Sequence, residues 1–155
     1  METKKMQEIY TEVIKLVTFF NKPENDKFLL ETNNIELDFK LFPLFIAISH
    51  MQPVTVQKLS NFSGRPHSTI SRQIQRLETK NLIQTKTNNH DNRSRVITLS
   101  LAGETLSSDI KIARFKTMEQ VLSDITEQQE ETIIDSLKLL NKAILKNAPT
   151  SKNND

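Results

Sequence analysis

The chain has 155 residues, 36% of them hydrophobic and 26% charged, with a formal net charge of +2. That size and composition suit one globular domain or one core with appended helices, and so mild a total charge selects no class of partner. Only two glycines argue against Gly-rich phosphate loops, dinucleotide-binding turns and a turn-rich all-β fold, and the lack of cysteine excludes disulfides, thiolate metal sites and thiol redox sensing.

Along the chain, Met6, Ile9, Tyr10, Val13, Leu16, Val17 and Phe20 recur at steps of three and four, which predicts an amphipathic helix ending near Pro23. The opening residues lack the apolar stretch of a signal peptide. The longest apolar run, 41–48, is interrupted by Pro43 and too short to span a bilayer, so no membrane partner and a cytoplasmic location are expected. Residues 23–36 are polar and read as a loop, with at most a helical turn at 28–30. Asp38 is a candidate cap for a second helix holding Leu41, Phe42, Leu44, Phe45 and Ile48. Pro43 requires either that this helix starts near Phe42 or that its entrance is irregular.

A short helix is predicted over 55–61, then a turn at Ser63-Gly64-Arg65. A further helix runs over 66–79 with Pro66 at its first position. Residues 82–87 and 95–99 alternate as strands around the polar cluster Asn88-Asn89-His90-Asp91-Asn92, a β-hairpin with a polar tip. Ser100 offers a cap for a long helix to about Ser123. Its residues Leu106, Ile110, Ala113 and Val121 lie on one face, with Ile112 and Phe115 nearer another. Thr126-Glu-Gln-Gln129 has the form of a capping box and opens a last helix, and residues 147–155 are expected to be a disordered tail.

Charge is unevenly spread over these elements. Residues 54–100 carry eight Lys/Arg against Glu78 and Asp91, a net of +6, so the rest of the chain sums to −4. A localised basic field is what a duplex-DNA reader needs, because phosphate neutralisation supplies most of the affinity. On the helix over 66–79, Ile70, Ile74 and Leu77 share one side, with Ser68, Arg72, Gln75 and Thr79 opposite and Ser71 and Arg76 at the flanks. Arginine can pair bidentately with guanine and glutamine with adenine, while serine donates or accepts.

Taken alone, an ordinary solvated face is an equal alternative. The preceding helix, the turn and the basic hairpin shift the balance to a helix-turn-helix with a wing, its second helix in the major groove. Ser68, Ser71, Arg72 and Gln75 are therefore the major-groove candidates. Arg93 at the hairpin tip is the candidate for a narrow minor groove. Thr55, Arg65, His67, Arg76, Lys86 and Arg95 are phosphate candidates; the plainer alternative for the hairpin charges is that they blunt a sheet edge.

Leu59-Ser60, Gly64, residues 68–72, Arg76-Leu77-Glu78, Leu82-Ile83, Asp91-Asn92-Arg93 and Thr98-Leu99-Ser100 followed by Gly103 resemble the multiple-antibiotic-resistance regulator (MarR) family of winged-helix proteins. The resemblance is strongest over 37–106 and includes the Asp-x-Arg of the wing, as Asp91 and Arg93. It implies a homodimeric transcriptional regulator, most often a repressor, on a pseudo-palindromic operator. Arg93 would enter the minor groove and Asp91 would orient the wing. There are departures: Arg65 and Pro66 stand where an apolar and a small capping residue are usual, and Asn92 replaces a frequent second arginine.

The expected fold is mainly α: a winged helix-turn-helix lobe over 37–101, with residues 1–36 and 102–146 forming a dimerisation domain. Broad apolar stripes on the first and last helices support pairing of two copies, with an intramolecular bundle as the alternative. Relatives in this family often bind small phenolic or lipophilic effectors. Tyr10, Phe19, Phe20, Phe42 and Phe45 could line such a pocket, although their spacing already suits plain core. His50, His67 and His90 lack ligand spacing, so neither a metal nor a cofactor is expected. Neither glycine sits in a nucleophile-elbow frame, and Glu127, Glu130 and Glu131 suit a helix N-terminus better than acid/base chemistry, so no enzyme activity is expected. The rival to a DNA-binding regulator is a winged-helix protein–protein adapter that turns the same basic face on an acidic partner.

Overall fold

The computed structural model describes residues 3–87 and 95–147; Asp91 and Arg93 of the wing, and the expected tail from 148 on, lie outside the described residues. In chain order the elements are α1 (Thr3–Phe20), α2 (Pro23–Thr32), α3 (Phe42–Met51), β1 (Val54–Thr55), α4 (Val56–Ser63), α5 (His67–Thr79), β2 (Ile83–Thr87), β3 (Arg95–Leu99), α6 (Leu101–Val121) and α7 (Glu127–Asn147). Among the described residues the fold is mainly helical, with a small antiparallel sheet in the order β1-β3-β2. The chain divides into two units, Met1–Thr117 and Met118–Asp155.

The first unit holds one hydrophobic core. Leu41, Phe42, Phe45 and Ile48 from α3 and its entrance meet Leu59 of α4, Ile70, Ile74 and Leu77 of α5, and Ile83, Ile97 and Leu99 of the sheet. Leu29 and Leu30 of α2 and Ile110 and Ala113 of α6 are buried in the same core. Pro43 sits in the first turn of α3, where its missing N–H costs no helical bond. This decides the question the proline raised: the helix starts at Phe42.

Three departures from the sequence reading have local causes. Residues 23–32 form a full helix instead of a loop. Pro23 stands at its start and Glu24 and Asp26 in its first turn, where acids suit the helix dipole. It ends in a left-handed Asn34 (φ +52°), with Ile35 N–H donating to Leu30 O and Asn34 N–H to Glu31 O, the bond pair of a Schellman cap. Thr55 is the cap of α4 rather than its first residue, and its hydroxyl accepts from Lys58 N–H at 3.3 Å. Thr55 and Val54 also pair with Val96 and Ile97 as an unexpected third strand. Finally, α5 starts at His67; Pro66 is its cap residue (ψ 143°), because its carbonyl already accepts from Thr69 and Ile70 N–H.

The joint between wing and flanking helix is built around Leu82. α5 ends in a second Schellman cap, with Asn81 left-handed (φ +56°) and Leu82 N–H donating to Leu77 O at 3.1 Å. The Leu82 carbonyl in turn accepts from Ser100 N–H at 3.0 Å. Ser100 caps α6 through its hydroxyl, which accepts from Gly103 N–H at 3.0 Å. A Cβ on Gly103 would stand 2.0 Å from the Leu82 oxygen, so only glycine lets α6 lie this close to the end of α5.

α1 has no buried residue: Met6, Ile9, Tyr10, Ile14, Leu16, Val17, Phe19 and Phe20 are 43–65% exposed. Of the five aromatic residues considered above, only Phe42 and Phe45 are core. α6 has two apolar faces as expected, one buried through Ile110 and Ala113, the other exposing Ile112 and Phe115; Val121 falls with the exposed set.

In the second unit, the capping box of α7 is formed. Gln129 Oε1 accepts from Thr126 N–H at 2.9 Å, and Thr126 Oγ1 accepts from Gln129 N–H at 3.4 Å. α7 buries none of its residues, and Ile133, Ile134, Leu137 and Ile144 are exposed. No helix among the described residues is long and apolar enough to cross a membrane.

Gly103→Ala forces the Leu82 carbonyl and α6 apart. Overpacking of this kind costs about 1–3 kcal/mol, so the urea midpoint should fall with an unchanged slope. An unchanged midpoint would mean that the joint has slack.

Candidate nucleic-acid interface

The placement of the candidate residues follows from one amphipathic helix. Ile70, Ile74 and Leu77 are buried, which fixes the rotation of α5 about its axis. Ser68, Arg72 and Gln75 are consequently exposed on the far side, and Ser71 is half-buried on one flank. The turn before α5 is held by side chains: Ser60 Oγ donates to Arg65 O at 2.7 Å, and Arg65 N–H donates to Ser63 Oγ at 3.3 Å. Gly64 adopts φ +65° with nothing within 4 Å of a built Cβ, so the backbone conformation is what calls for glycine here.

On one flank, α5 and the sheet enclose a groove of about 460 Å³. Thr55, His67, Ser71, Gln75 and Arg95 line it, five of the twelve candidate residues brought together from three elements, β1, α5 and β3. Sheet register explains why Arg95 belongs to this groove. Arg95 stands opposite Thr87, Ile97 opposite Thr85 and Leu99 opposite Ile83, so these residues share the face turned toward α5. On that face Thr85 Oγ1 donates to Glu78 Oε1 at 2.7 Å, tying sheet to helix. Lys86 is one residue out of phase and lies on the opposite face, beside Val96. The two described wing cations therefore point to different sides of the sheet. Gln57 also lines the groove and was not singled out from the sequence, because a polar residue in a short helix carries no periodic signal.

The other flank of α5 is engaged differently. Arg76 Nη2 donates to Asp38 Oδ2 at 2.6 Å, with the two side chains 51% and 30% exposed. The second Asp38 oxygen accepts from Lys40 N–H at 2.9 Å. Asp38 thus does not cap α3, as its position suggested; it anchors Arg76. One turn earlier, Gln73 Nε2 donates to Lys40 O at 3.1 Å. Arg65, apart from the groove, lines a cavity of about 590 Å³ with Asp26, Lys40, Phe42, Gln73 and Arg114. The Arg114 guanidinium lies 5.2 Å from the centre of the Phe42 ring, a cation–π distance. Gln73 Oε1 is buried and has no hydrogen-bond partner among the described residues. Burial pushes the Asp26 carboxyl up, and the nearby Arg114 charge partly offsets it.

His50 has a local partner, with Nδ1 2.8 Å from Ile46 O, and His67 Nδ1 lies 3.5 Å from Ser71 Oγ. Among the described residues no group of three or more His, Cys, Asp or Glu side chains could hold a metal.

Residues 42–94, which run from the start of α3 to the residue before β3, match the model of the MarR family. Solved structures extend the likeness beyond that segment. A Staphylococcus aureus MarR in complex with salicylate and kanamycin superposes with a TM-score of 0.69 at 20% identity, covering 94% of this chain and 96% of that one. A MarR transcriptional regulator from Methanosarcina mazei gives 0.66 at 21% identity, over 90% and 98% of the two chains. FabT of Streptococcus pneumoniae in complex with DNA gives 0.63 at 16% identity, over 94% and 99%. The terminal helices as well as the lobe therefore share this fold.

The Asp38 carboxyl is held below the ordinary carboxylate range, first by Lys40 N–H and then by Arg76. A depressed value favours the ionised form in the folded state. The stabilisation is therefore present above the unfolded value near ~3.9 and is lost as pH falls through the folded value. Urea midpoints of the native protein and of Asp38→Asn should converge between about pH 5 and about pH 2. A gap that stays constant with pH would show that the carboxylate charge contributes nothing to folding.

Proposed function

Because residues 42–94 match the model of the MarR family, we propose that the chain is a winged helix-turn-helix transcriptional regulator of that family, acting in the cytoplasm as a homodimeric repressor on a pseudo-palindromic operator. DNA binding and transcriptional regulation come with the family, which is not one of enzymes. The observation that supports the finer roles is the outward face of α5, where Ser68, Arg72 and Gln75 stand exposed above a core-fixed helix beside the α5–sheet groove. In this reading Ser68, Ser71, Arg72 and Gln75 meet base edges in the major groove. Thr55, His67 and Arg95 line a channel for one phosphate strand, with Arg65, Arg76 and Lys86 as outlying phosphate contacts. Arg93 and Asp91 keep their proposed wing roles, the one in the minor groove and the other orienting it.

Two copies are proposed on the strength of the apolar surface that one copy leaves uncovered. Fully burying a Leu, Ile or Phe side chain is worth about 1.5–3 kcal/mol, and α1 and α7 each expose several. A second copy covers such faces with identical ones, and twofold symmetry sets two reading helices about 34–36 Å apart on successive major-groove turns. The division of labour is then a reading lobe over 37–101, with residues 1–36 and 102–146 for pairing, α2 also rooted in the lobe core through Leu29 and Leu30.

A small-molecule effector is proposed for the cavity of about 590 Å³, whose wall includes the Phe42 ring and Gln73 of α5 itself. Gln73 Oε1, buried and without a partner among the described residues, suits a ligand that carries a hydrogen-bond donor. Such a ligand relieves repression only to the extent that it binds one lobe spacing more tightly than another.

Genomic-fragment selection with the purified protein, followed by footprinting, tests the function and yields the half-site spacing. On the selected operator, Arg72→Ala should cost about 1–3 kcal/mol and relax preference at one base pair. Equal losses on operator and random duplex would instead make Arg72 a backbone contact. Absence of any salt-dependent duplex binding would favour the adapter on an acidic partner. Light scattering should give twice the chain mass at micromolar concentration, and a single-chain mass there would remove the symmetric operator from the reading.

A further inference from the structure

We propose that Asp38 is a latch on Arg76, an internal carboxylate that competes with DNA phosphate for this guanidinium and so holds down sequence-independent binding. The inference rests on the DNA-binding reading above and adds to it a residue outside the helix-turn-helix. Arg76 follows Arg72 by one turn on the same stripe of α5, at the border of the outward face. A phosphate strand passing along that border meets Arg76. In the structure, Arg76 is already taken: Nη2 donates to Asp38 Oδ2 at 2.6 Å.

The carboxylate is placed for this contact and is not merely near it. Lys40 N–H holds Oδ1 at 2.9 Å, which aims Oδ2 at the helix. The 38–40 turn is itself held on α5 through Gln73 Nε2 and Lys40 O. Leu41 N–H donates to Asp38 O at 2.8 Å and closes the turn behind the carboxylate. Two successive positions on one stripe of α5, Gln73 and Arg76, thus grip one turn of chain whose only acid is Asp38.

The pair is half-exposed, and exposed ion pairs are weak enough to be exchanged for another anion. A phosphate in place gains Arg76 only by displacing Asp38. On random duplex, where phosphate contacts carry nearly all the affinity, that competition subtracts a large share. On the operator, base contacts made by the neighbouring side chains are untouched by it. Where Arg76 meets a phosphate in both complexes the cost falls on both alike, so the latch lowers absolute affinity and its salt dependence and leaves the ratio of operator to random affinity unchanged.

The test compares the native protein with Asp38→Asn, Arg76→Ala and the double variant on random and operator duplex over a range of salt. Asp38→Asn should bind random duplex several-fold more tightly, and its log–log salt slope should steepen by about one per protomer. Operator affinity should rise by the same factor, and the double variant should return to the level of Arg76→Ala. Asp38→Ser, which keeps an acceptor for Lys40 N–H without the charge, should behave like Asp38→Asn and guards against a folding defect; circular dichroism checks both. An unchanged slope in Asp38→Asn overturns the latch. So does a gain that persists in the double variant, because removing one negative charge from the general field would then explain it. No salt-dependent binding by the native protein would sink the DNA-binding reading itself, and the latch with it.

Discussion

The burial of Ile70, Ile74 and Leu77 is the constraint on which the interface depends. A helix of 13 residues has one free rotation about its axis, and three apolar side chains inserted into one core remove it. Once that angle is set, everything else on α5 is assigned a direction. Ser68, Arg72 and Gln75 go outward, Ser71 and Glu78 go to the sheet, and Gln73 and Arg76 go to the 38–40 turn. Both flanks then reinforce the setting with polar contacts, Thr85 to Glu78 on one side and Asp38 to Arg76 on the other. The exposed Arg76–Asp38 pair adds little stability on its own. The effect of the two contacts is on orientation, because they sit on opposite sides of the same helix.

The ends of α5 are fixed as well. At its start the carbonyl of Pro66 takes the first helical bonds, and the preceding turn is tied by Ser60 and Ser63. The far end, a Schellman cap on Asn81, passes directly into the wing. Leu82 then serves two partners with one carbonyl, the N–H of Ser100 and the open side of Gly103. The end of α5, the root of both long wing strands and the first turn of α6 are thereby a single joint. The contacts at this joint are made chiefly by backbone atoms, with the Ser100 hydroxyl capping the first turn of α6.

Much of this was legible in the sequence wherever one strong period decided the outcome. The α5 wheel, the hairpin, the capping box at Thr126 and the two-faced α6 all follow from spacing. The misses share a cause: each rests on a cap or a pairing partner distant in sequence. α2 has only two buried residues, Leu29 and Leu30, so its period is faint. Its better signals were Pro23 at one end and Asn33-Asn34 at the other, residue types that also mark loops. The start of α5 turned on whether Pro66 lay inside the helix or capped it, a difference of one ψ angle. Asp38 has the residue type of a cap and stands at a cap's position; its true partner, Arg76, lies 38 residues away. The opposite facing of Lys86 and Arg95 was readable once the hairpin register was known, since residues one out of phase across a ladder point to opposite faces.

The exposed apolar faces and the basic lobe bear on each other through concentration. A single lobe offers few phosphate contacts, so its affinity at physiological salt is in the weak, non-specific range. Joining two lobes makes the second binding event intramolecular, at an effective concentration far above that of free protein. If α1 and α7 pair two chains, the apolar surface that is unfavourable in one copy becomes the source of that gain. Pairing and operator binding are then thermodynamically linked: each operator holds two chains, and occupied operator favours the paired state by the same factor that pairing favours occupancy. The response to total protein is consequently steeper than that of one lobe on one half-site. Lobe spacing becomes the sensitive variable, because it decides whether the second half-site is reached at all. A cavity whose wall includes Gln73, and a Leu82–Gly103 joint with no room for a methyl group, both bear on α5 itself.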